Sequence, residues 1–286
     1  MSWRSSRAGS SEDHSAAASS SSFSGDGFFD RGLEYFEHVA RLGFEGIEIA
    51  PFNVAEDVND ISADRRQDLR NRAADAGIEI VGLHWLLVSP KGLHLTRGDD
   101  AIRAKTVAYL QSLAKLCADL GGNVMILGSP AQRNLEDGVT YEAAFERAAA
   151  GLKEVGKACG DCGVQLCLEP LNPKETNFLQ TVEEALQLAK AIDHPNVGYM
   201  LDCKAMSGMP KGIEGTTREH GARAGHFHTN DPSGKGPGMG DLEFGPVLAA
   251  LKDSGYEGWV SSEPFDYEPD SETVARTALE TLKAAL

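Results

Sequence analysis

The sequence predicts an α/β fold, a (β/α)8 TIM barrel whose first strand is degenerate or missing. Short apolar runs that are typical of buried strands recur along the chain, and a helical segment precedes and follows each of them. Repeated strand–helix units form a parallel sheet with helices outside it. The length of 286 residues also suits a single barrel domain.

Seven strands follow helices in order along the chain. The predicted helices span residues 32–42, 62–76, 100–120, 141–159, 182–192 and 244–254, and a weaker helix precedes the sixth strand. The strands that follow them span residues 46–50, 78–83, 123–127, 164–169, 197–202, 224–228 and 258–263. A last helix is predicted over residues 271–286.

A barrel needs an eighth strand, which would come before the other seven in the chain. It would lie in a Ser-rich N-terminal segment. Eleven of the first 25 residues are Ser, and this segment has no hydrophobic periodicity. Such sequence buries too little apolar surface to offset its ordering entropy, and Ala and Ser are poor strand formers. We therefore predict a disordered segment over residues 1–27 and a barrel domain over 28–286. The first strand is either missing or a weak strand near 19–23.

Composition limits the partners and the compartment. With 27 Lys and Arg against 43 Asp and Glu, the net charge of −16 opposes nucleic-acid binding, which depends on basic side chains at phosphates. No apolar run approaches the roughly 20 residues of a membrane helix, so no membrane partner is expected. Five cysteines, an odd number in a long chain, argue against a disulfide framework. These features favour a cytoplasmic protein.

Four consecutive predicted strands end in residue types that bind metal ions: Glu169, Asp202, His228 and Glu263. In a parallel barrel, the functional site forms at the C-terminal ends of the strands. Three carboxylates and one imidazole suit one divalent ion, with Mn²⁺ preferred and Mg²⁺, Co²⁺ or Zn²⁺ as alternatives. Such a site can bind a neutral sugar or polyol through its oxygen atoms and stabilise an enediolate.

At these residues the chain resembles the sugar phosphate isomerase/epimerase superfamily with its xylose-isomerase-like TIM barrel. The branch it resembles contains ketose 3-epimerases, hydroxypyruvate isomerase and the inosose enzymes. The four residues are separated by 33, 26 and 35 residues, as in that branch. The matching stretches are Leu168-Glu169-Pro170-Leu171-Asn172 with Glu175 and Asn177, Leu201-Asp202, His226-Phe227-His228, and Ser262-Glu263-Pro264.

The resemblance implies a metal-dependent isomerase or epimerase of carbohydrate metabolism. Its metal ligands would be Glu169, Asp202, His228 and Glu263. Two of these, Glu169 and Glu263, would also be the catalytic acid/base pair on opposite faces of the sugar, and Glu175 would contact a substrate hydroxyl. The small-molecule substrate would be a ketose or a small hydroxy-carbonyl compound.

The chain departs from the family at two positions. Ala205 stands where the family has a His that bonds a substrate oxygen, and Gly234 stands where its epimerases have an Arg. Either Lys204 or Lys235 is a candidate cation to replace these groups, although each is more typical of a solvated surface. The departures weaken the case for 3-epimerisation but leave the metal ligands and the Glu pair intact.

Other polar residues at strand ends have two interpretations. His84 and Trp85 either bind a sugar or pack in the core. Arg133 either reaches a substrate carboxylate or phosphate, or forms a surface salt bridge, which we favour. Glu48 is expected to point into the barrel. His226 shares the inward face of its strand with His228 and is expected to support the site rather than ligate the metal.

The sequence leaves three alternative functions to consider. The first is a keto-polyol (inosose-type) dehydratase, because dehydration starts with the same proton abstraction. The second is a non-catalytic sugar-binding barrel. The third is a DNA-repair nuclease resembling endonuclease IV, which the acidic net charge and the absence of an Asp-x-x-His motif oppose. A homodimer is the assembly considered for the protein.

Overall fold

The computed structural model describes Ala17–Ser19 and residues 33–286, in which strands and helices alternate as predicted. The strands are β1 Ala17–Ser19, β2 Gly46–Ile49, β3 Glu79–Leu83, β4 Val124–Leu127, β5 Gln165–Leu168, β6 Val197–Tyr199, β7 Leu201–Asp202, β8 Phe227–Thr229 and β9 Val260–Ser262. The helices are α1 Leu33–Leu42, α2 Ala63–Asp75, α3 Asp100–Leu120, α4 Tyr141–Cys162, α5 Val182–Ile192, α6 Cys203–Met206, α7 Gly212–His220, α8 Phe244–Asp253 and α9 Ser271–Ala284. None of the helices in these residues has the length and apolar character to cross a membrane.

The described residues form two compact units, and the first contains the residues up to 49 together with 70–81 and 201–286. Its strands pair in parallel in the order β2-β1-β9-β8-β7. The register places Asp202 opposite His228, and Thr229 opposite Ser262. The polar C-terminal ends of these strands therefore lie side by side.

Strand β1 is the first barrel strand, which the sequence predicts to be weak or missing. It has three residues, and Ala18 pairs with Ile47 of β2 on one side and with Ser262 of β9 on the other. A weak strand is therefore present, slightly earlier than residues 19–23. The prediction of disorder is wrong for Ala17–Ser19. The rest of the 1–27 segment lies outside the described residues, and the domain boundary at residue 28 stays a prediction.

The second unit contains residues 50–69 and 82–200. Here the end of β3 pairs with β4, β4 with β5 and β5 with β6, all in parallel. The side chains of Val124, Ile126, Cys167 and Met200 form a buried apolar cluster. Helix α4 packs between α3 and α5. The short, buried strands of this unit have no amphipathic alternation, as expected for a sheet that is covered on both faces.

Helix α4 is three residues longer than the sequence predicts. At its start, the Thr140 hydroxyl accepts a hydrogen bond from the Ala143 amide at 3.2 Å, a cap worth about 1 kcal/mol. The sequence suggested a stop near Gly160, but the helix continues through it to Cys162. The stop is Gly163, whose φ of 68° gives the left-handed conformation that only glycine adopts freely. All five cysteines are free thiols.

The strand predicted over residues 197–202 is interrupted at Met200. The Met200 amide donates to the Leu168 carbonyl at 3.0 Å, whereas the Leu201 amide donates to the His226 carbonyl at 3.1 Å. The chain thus changes its hydrogen-bonding partner strand between β6 and β7. This change positions Asp202 beside the end of β8.

Candidate active site

In the first unit, three of the predicted metal ligands lie together at the strand ends. Asp202 ends β7, His228 lies in β8, and Glu263 follows β9. Each offers one ligand atom, and these atoms lie within 4.8 Å of one another. The His228 Nδ1 atom is 2.9 Å from Glu263 Oε2 and 4.0 Å from Asp202 Oδ2. All three side chains are buried.

Asp202 is fixed through both carboxylate oxygens. Its Oδ1 atom accepts a hydrogen bond from the Ala205 amide at 2.7 Å, which caps α6, and its Oδ2 atom accepts one from Asn230 Nδ2 at 2.7 Å. The Asn230 Oδ1 atom in turn accepts from the Lys204 amide at 2.8 Å. Sequence reasoning missed Asn230. Its position two residues after His228, on the same face of an extended chain, was the available signal.

Glu48, in β2, is fully buried and interacts with His228 of β8 and with His226, the residue before that strand. Its Oε1 atom lies 2.7 Å from His226 Nε2, and its Oε2 atom lies 3.0 Å from His228 Nε2. The hydroxyl of Ser261 donates to Glu48 Oε1 and lies 2.9 Å from His226 Nε2. Glu48 therefore points inward, as expected. The carboxylate bridge between the two histidines could not be inferred from the sequence.

Burial and mutual charge shift the acid–base equilibria of this cluster. Burial raises the pKa of Asp202 to about 6, and the charge of Glu263 adds to this effect. Burial alone would lower the pKa of His228, but Glu263 and Glu48 raise it well above the ordinary value. Burial would raise the pKa of Glu48, but His226 and His228 hold it well below its ordinary value. Burial lowers the pKa of His226.

This donor set fits a divalent cation. Uncompensated carboxylates are costly to bury, and a cation between Asp202 and Glu263 would offset their repulsion. Carboxylate oxygens together with one imidazole nitrogen suit Mn²⁺ and similar ions. The three residues have the chemical character required of metal ligands.

In the second unit, Glu169 comes directly after β5 and is also buried. Its amide donates to the Leu127 carbonyl at 3.3 Å. A Cβ atom built on Gly128, the residue after β4, would lie 1.7 Å from Glu169 Oε2. Only glycine fits there, because any side chain would displace the carboxylate. Sequence reasoning missed this role of Gly128.

Arg133 is buried in the second unit, so the surface salt bridge favoured from the sequence is wrong. Its side chain is 1% exposed, and Nη1 donates to the Leu127 carbonyl at 3.0 Å. Within the described part of the chain, its Nε and Nη2 atoms are buried without a hydrogen-bond partner. Burial lowers the pKa of Arg133 to about 10, and the charge of Glu169 is the main opposing influence.

The remaining candidates of this unit are placed as follows. His84 is buried, whereas Trp85 is 36% exposed and contacts the Phe52 ring edge-on with centroids 6.3 Å apart. The φ of Trp85 is 55°, a left-handed conformation that is rare for a bulky residue and concentrates at functional sites. Glu175 is half-buried, and its amide donates to the Asn172 carbonyl at 2.8 Å.

The two lysines of the first unit differ in their surroundings. Lys204 is half-buried, and its Nζ atom lies 5.0 Å from the centre of the Phe265 ring. Lys235 is exposed. Gly234 has a φ of 90°, and its carbonyl accepts hydrogen bonds from the Phe265 and Asp266 amides at 2.7 and 3.1 Å. This turn requires glycine, which accounts for the missing arginine at this position.

The family model described as a xylose isomerase-like TIM barrel matches residues 36–285, and the chain belongs to this family. A D-psicose 3-epimerase of Ruminiclostridium cellulolyticum is 32% identical over 239 residues, which cover 81% of this chain and 77% of that protein. An L-ribulose 3-epimerase of Methylomonas sp. is 27% identical over 232 residues, with coverage of 80% and 77%.

Solved structures agree with the family assignment. The structure of D-psicose 3-epimerase with D-tagatose from Clostridium cellulolyticum matches with a TM-score of 0.81 and 26% identity, covering 95% of this chain and 99% of that chain. The TIM barrel and the sugar phosphate isomerase/epimerase superfamily, both predicted from the sequence, are confirmed. The prediction of an enzyme of the isomerase class is confirmed as well.

Proposed function

We propose that the protein is a divalent-metal-dependent epimerase or isomerase of a free ketose or a small hydroxy-carbonyl compound. The observation that carries this proposal is the buried cluster of Asp202, His228 and Glu263 at adjacent strand ends. Glu169 follows β5, and a TIM barrel brings the C-terminal ends of its strands to one face. Glu169 is therefore proposed as the fourth ligand.

The proposed cofactor is one divalent ion, with Mn²⁺ preferred over Mg²⁺, Co²⁺ and Zn²⁺. Carboxylate oxygens suit both Mg²⁺ and Mn²⁺, and the imidazole nitrogen of His228 favours the transition metal of the two. When bound, the ion would act as a Lewis acid that acidifies the carbon next to the substrate carbonyl. The hydrogen bonds of Asp202 hold this ligand in place before an ion arrives.

Glu169 and Glu263 are proposed as the acid/base pair. One carboxylate removes the proton from the carbon next to the carbonyl, and the electron pair of that C–H bond forms the double bond of a planar enediolate. The other carboxyl group returns a proton to the opposite face of the same carbon, and the carbonyl forms again. Inversion needs proton access to both faces, which two carboxyl groups on different strands supply.

The substrate contacts are proposed from the placement of the remaining polar residues. Glu175 would bond a substrate hydroxyl, and Trp85 with His84 would contact the sugar ring. Arg133 has buried N–H groups available for a substrate oxygen. Between the lysines, half-buried Lys204 is the better replacement for the missing histidine, since Lys235 is exposed.

The proposal is tested by incubating the Mn²⁺-loaded enzyme with a panel of ketoses and keto-inositols in deuterated water. We expect a ketose to form its epimer or isomer and to incorporate one deuterium at the reacting carbon. Loss of water from a keto-inositol without epimer formation would instead identify a dehydratase. A protein that binds sugar but turns over no compound, and shows no metal-dependent thermal shift, would be a non-catalytic barrel.

Two further predictions depend on the same assignment. A homodimer is proposed as the assembly, and the cytoplasm is proposed as the compartment. The free thiols of the five cysteines are compatible with a reducing compartment.

A further inference from the structure

The carboxylate of Glu48 neither donates nor accepts a proton in the proposed reaction, but it is buried beside the proposed ligand His228. Glu48 is 0% exposed, and its two oxygens contact His226 and His228. Burying a carboxylate costs free energy unless its charge is paired and hydrogen-bonded. The geometry shows what Glu48 does for His228.

Both ring nitrogens of His228 face a carboxylate oxygen, since Nε2 lies 3.0 Å from Glu48 Oε2 and Nδ1 lies 2.9 Å from Glu263 Oε2. With Glu263 engaged by a cation, Glu48 is the acceptor that remains, and the proton of a neutral ring stays on Nε2. The lone pair of Nδ1 then points toward Glu263, whose Oε2 atom is 2.9 Å away, and toward Asp202. The nitrogen that faces the other proposed ligands is therefore the one that can bind a metal ion.

Glu48 is itself held before any ion binds. Its Oε1 atom is contacted by His226 Nε2 at 2.7 Å and by the Ser261 hydroxyl. His226 directly precedes β8, Ser261 lies on β9, and Glu48 lies on β2. The carboxylate consequently has little freedom to rotate away from His228.

We propose that Glu48 is a positioning residue that fixes the tautomer and ring orientation of His228 and so prepares Nδ1 for the metal ion. This inference rests on the proposed function, because it requires His228 to be a metal ligand. Carboxylates that accept the second N–H of a ligating histidine act in this way in metal sites, and their loss weakens metal affinity by about 10- to 100-fold.

The test measures Mn²⁺ affinity of metal-free, folded protein by titration. Glu48 contacts the Nε2 atoms of His226 and His228 and accepts from the Ser261 hydroxyl. The Glu48→Gln change keeps the shape of the side chain but leaves one acceptor oxygen, so at least one histidine loses its partner. We expect the dissociation constant for Mn²⁺ to rise about 10- to 100-fold. The matched control is Glu79→Gln, the same change at an exposed position of β3, which should change affinity less than about twofold.

The outcomes separate this inference from the proposed function. If the wild type binds Mn²⁺ and Glu48→Gln binds it equally well, the inference is wrong and the proposed function stands. A wild type without Mn²⁺ affinity would overturn both. A purely structural role of Glu48 would lower the melting temperature of the metal-free variant and leave the Mn²⁺ dissociation constant unchanged, which also contradicts the inference.

A second measurement uses the wild type, in case Glu48→Gln fails to fold. Nitrogen-15 NMR of the imidazole rings, with diamagnetic Zn²⁺ added, reports which nitrogen of His228 is protonated. We expect a proton on Nε2 and a metal-induced shift at Nδ1. A metal-induced shift at Nε2 would contradict the proposed role of Glu48.

Discussion

At the scale of single residues, the side chains of the site are held by contacts with one another. Asp202 accepts hydrogen bonds from Asn230 and from the Ala205 amide, and His228 lies between Glu48 and Glu263. Each partner limits the rotation of the next one. A metal ion at the proposed site would therefore bind without much reorganisation of the side chains.

The raised pKa of Asp202 leads to a prediction about pH. Burial, together with Glu263, raises this pKa to about 6, so the metal-free carboxyl group is protonated below that pH and ionised above it. A metal ligand must be deprotonated, so protons compete with the ion. We expect the Mn²⁺ affinity to weaken as the pH falls through 6, and to keep rising above pH 6 because His228, whose pKa is also raised, must lose a proton as well. Calorimetric titrations at pH 5, 6 and 7.5 check this, and an affinity independent of pH would contradict it.

Lys204 is the residue that decides how the missing histidine is replaced. If its ammonium group bonds the substrate oxygen, Lys204→Ala should lower kcat/KM by about 10- to 100-fold, the usual effect of losing a charged hydrogen bond. The Mn²⁺ dissociation constant should stay unchanged. Lys235→Ala, a matched change at an exposed lysine, should have near wild-type kinetics. Full activity of Lys204→Ala would leave oxygen polarisation to the metal ion alone.

At the scale of secondary structure elements, β8 shows how a short strand organises a site. His226 and Asn230 flank this strand and His228 lies within it. The three residues follow one another at intervals of two, so their side chains point to the same face of the extended chain. His226 and His228 bind the two oxygens of Glu48, and Asn230 binds Asp202. Strand β1 also contributes, because it pairs with both β2 and β9, the strands that carry Glu48 and Ser261.

The position of β1 predicts the effect of two truncations. Removing residues 1–15 leaves Ala17–Ser19 intact and should change the melting temperature very little. Removing residues 1–22 deletes β1 and leaves backbone groups of β2 and β9 without partners, so the melting temperature should fall by several degrees. Differential scanning calorimetry compares the two proteins. Equal melting temperatures would show that β1 contributes no stability.

At the scale of the whole molecule, the alternation of helices and strands made most of the fold predictable. Strand ends are polar residues next to apolar runs, so Glu169, Asp202, His228 and Glu263 could be predicted as metal ligands from their positions. The family assignment over residues 36–285 confirms the fold. The weak strand β1 was uncertain, because Ala and Ser give no strand signal and only its pairing with two neighbours stabilises it.

Contacts between distant parts of the sequence account for what could not be predicted. Glu48 and His228 are 180 residues apart, and no local pattern reports their contact. Gly128 resembles any turn glycine until the nearby carboxylate of Glu169 is seen. Arg133 looked like a surface residue, because its burial depends on packing around the end of β4 and not on its sequence neighbours.

The central claim is that Glu169 and Glu263 transfer the proton in a metal-dependent epimerisation or isomerisation. The most direct measurement is deuterium incorporation from deuterated water into a ketose substrate by wild type, Glu169→Gln and Glu263→Gln, each loaded with Mn²⁺. The amide keeps the size of the side chain but cannot act as the base. For each variant, we predict that turnover and exchange fall by about two orders of magnitude or more in at least one direction of the reaction. The control Glu79→Gln should keep the wild-type rate. Wild-type exchange and turnover in both Glu→Gln variants would contradict the proposed mechanism.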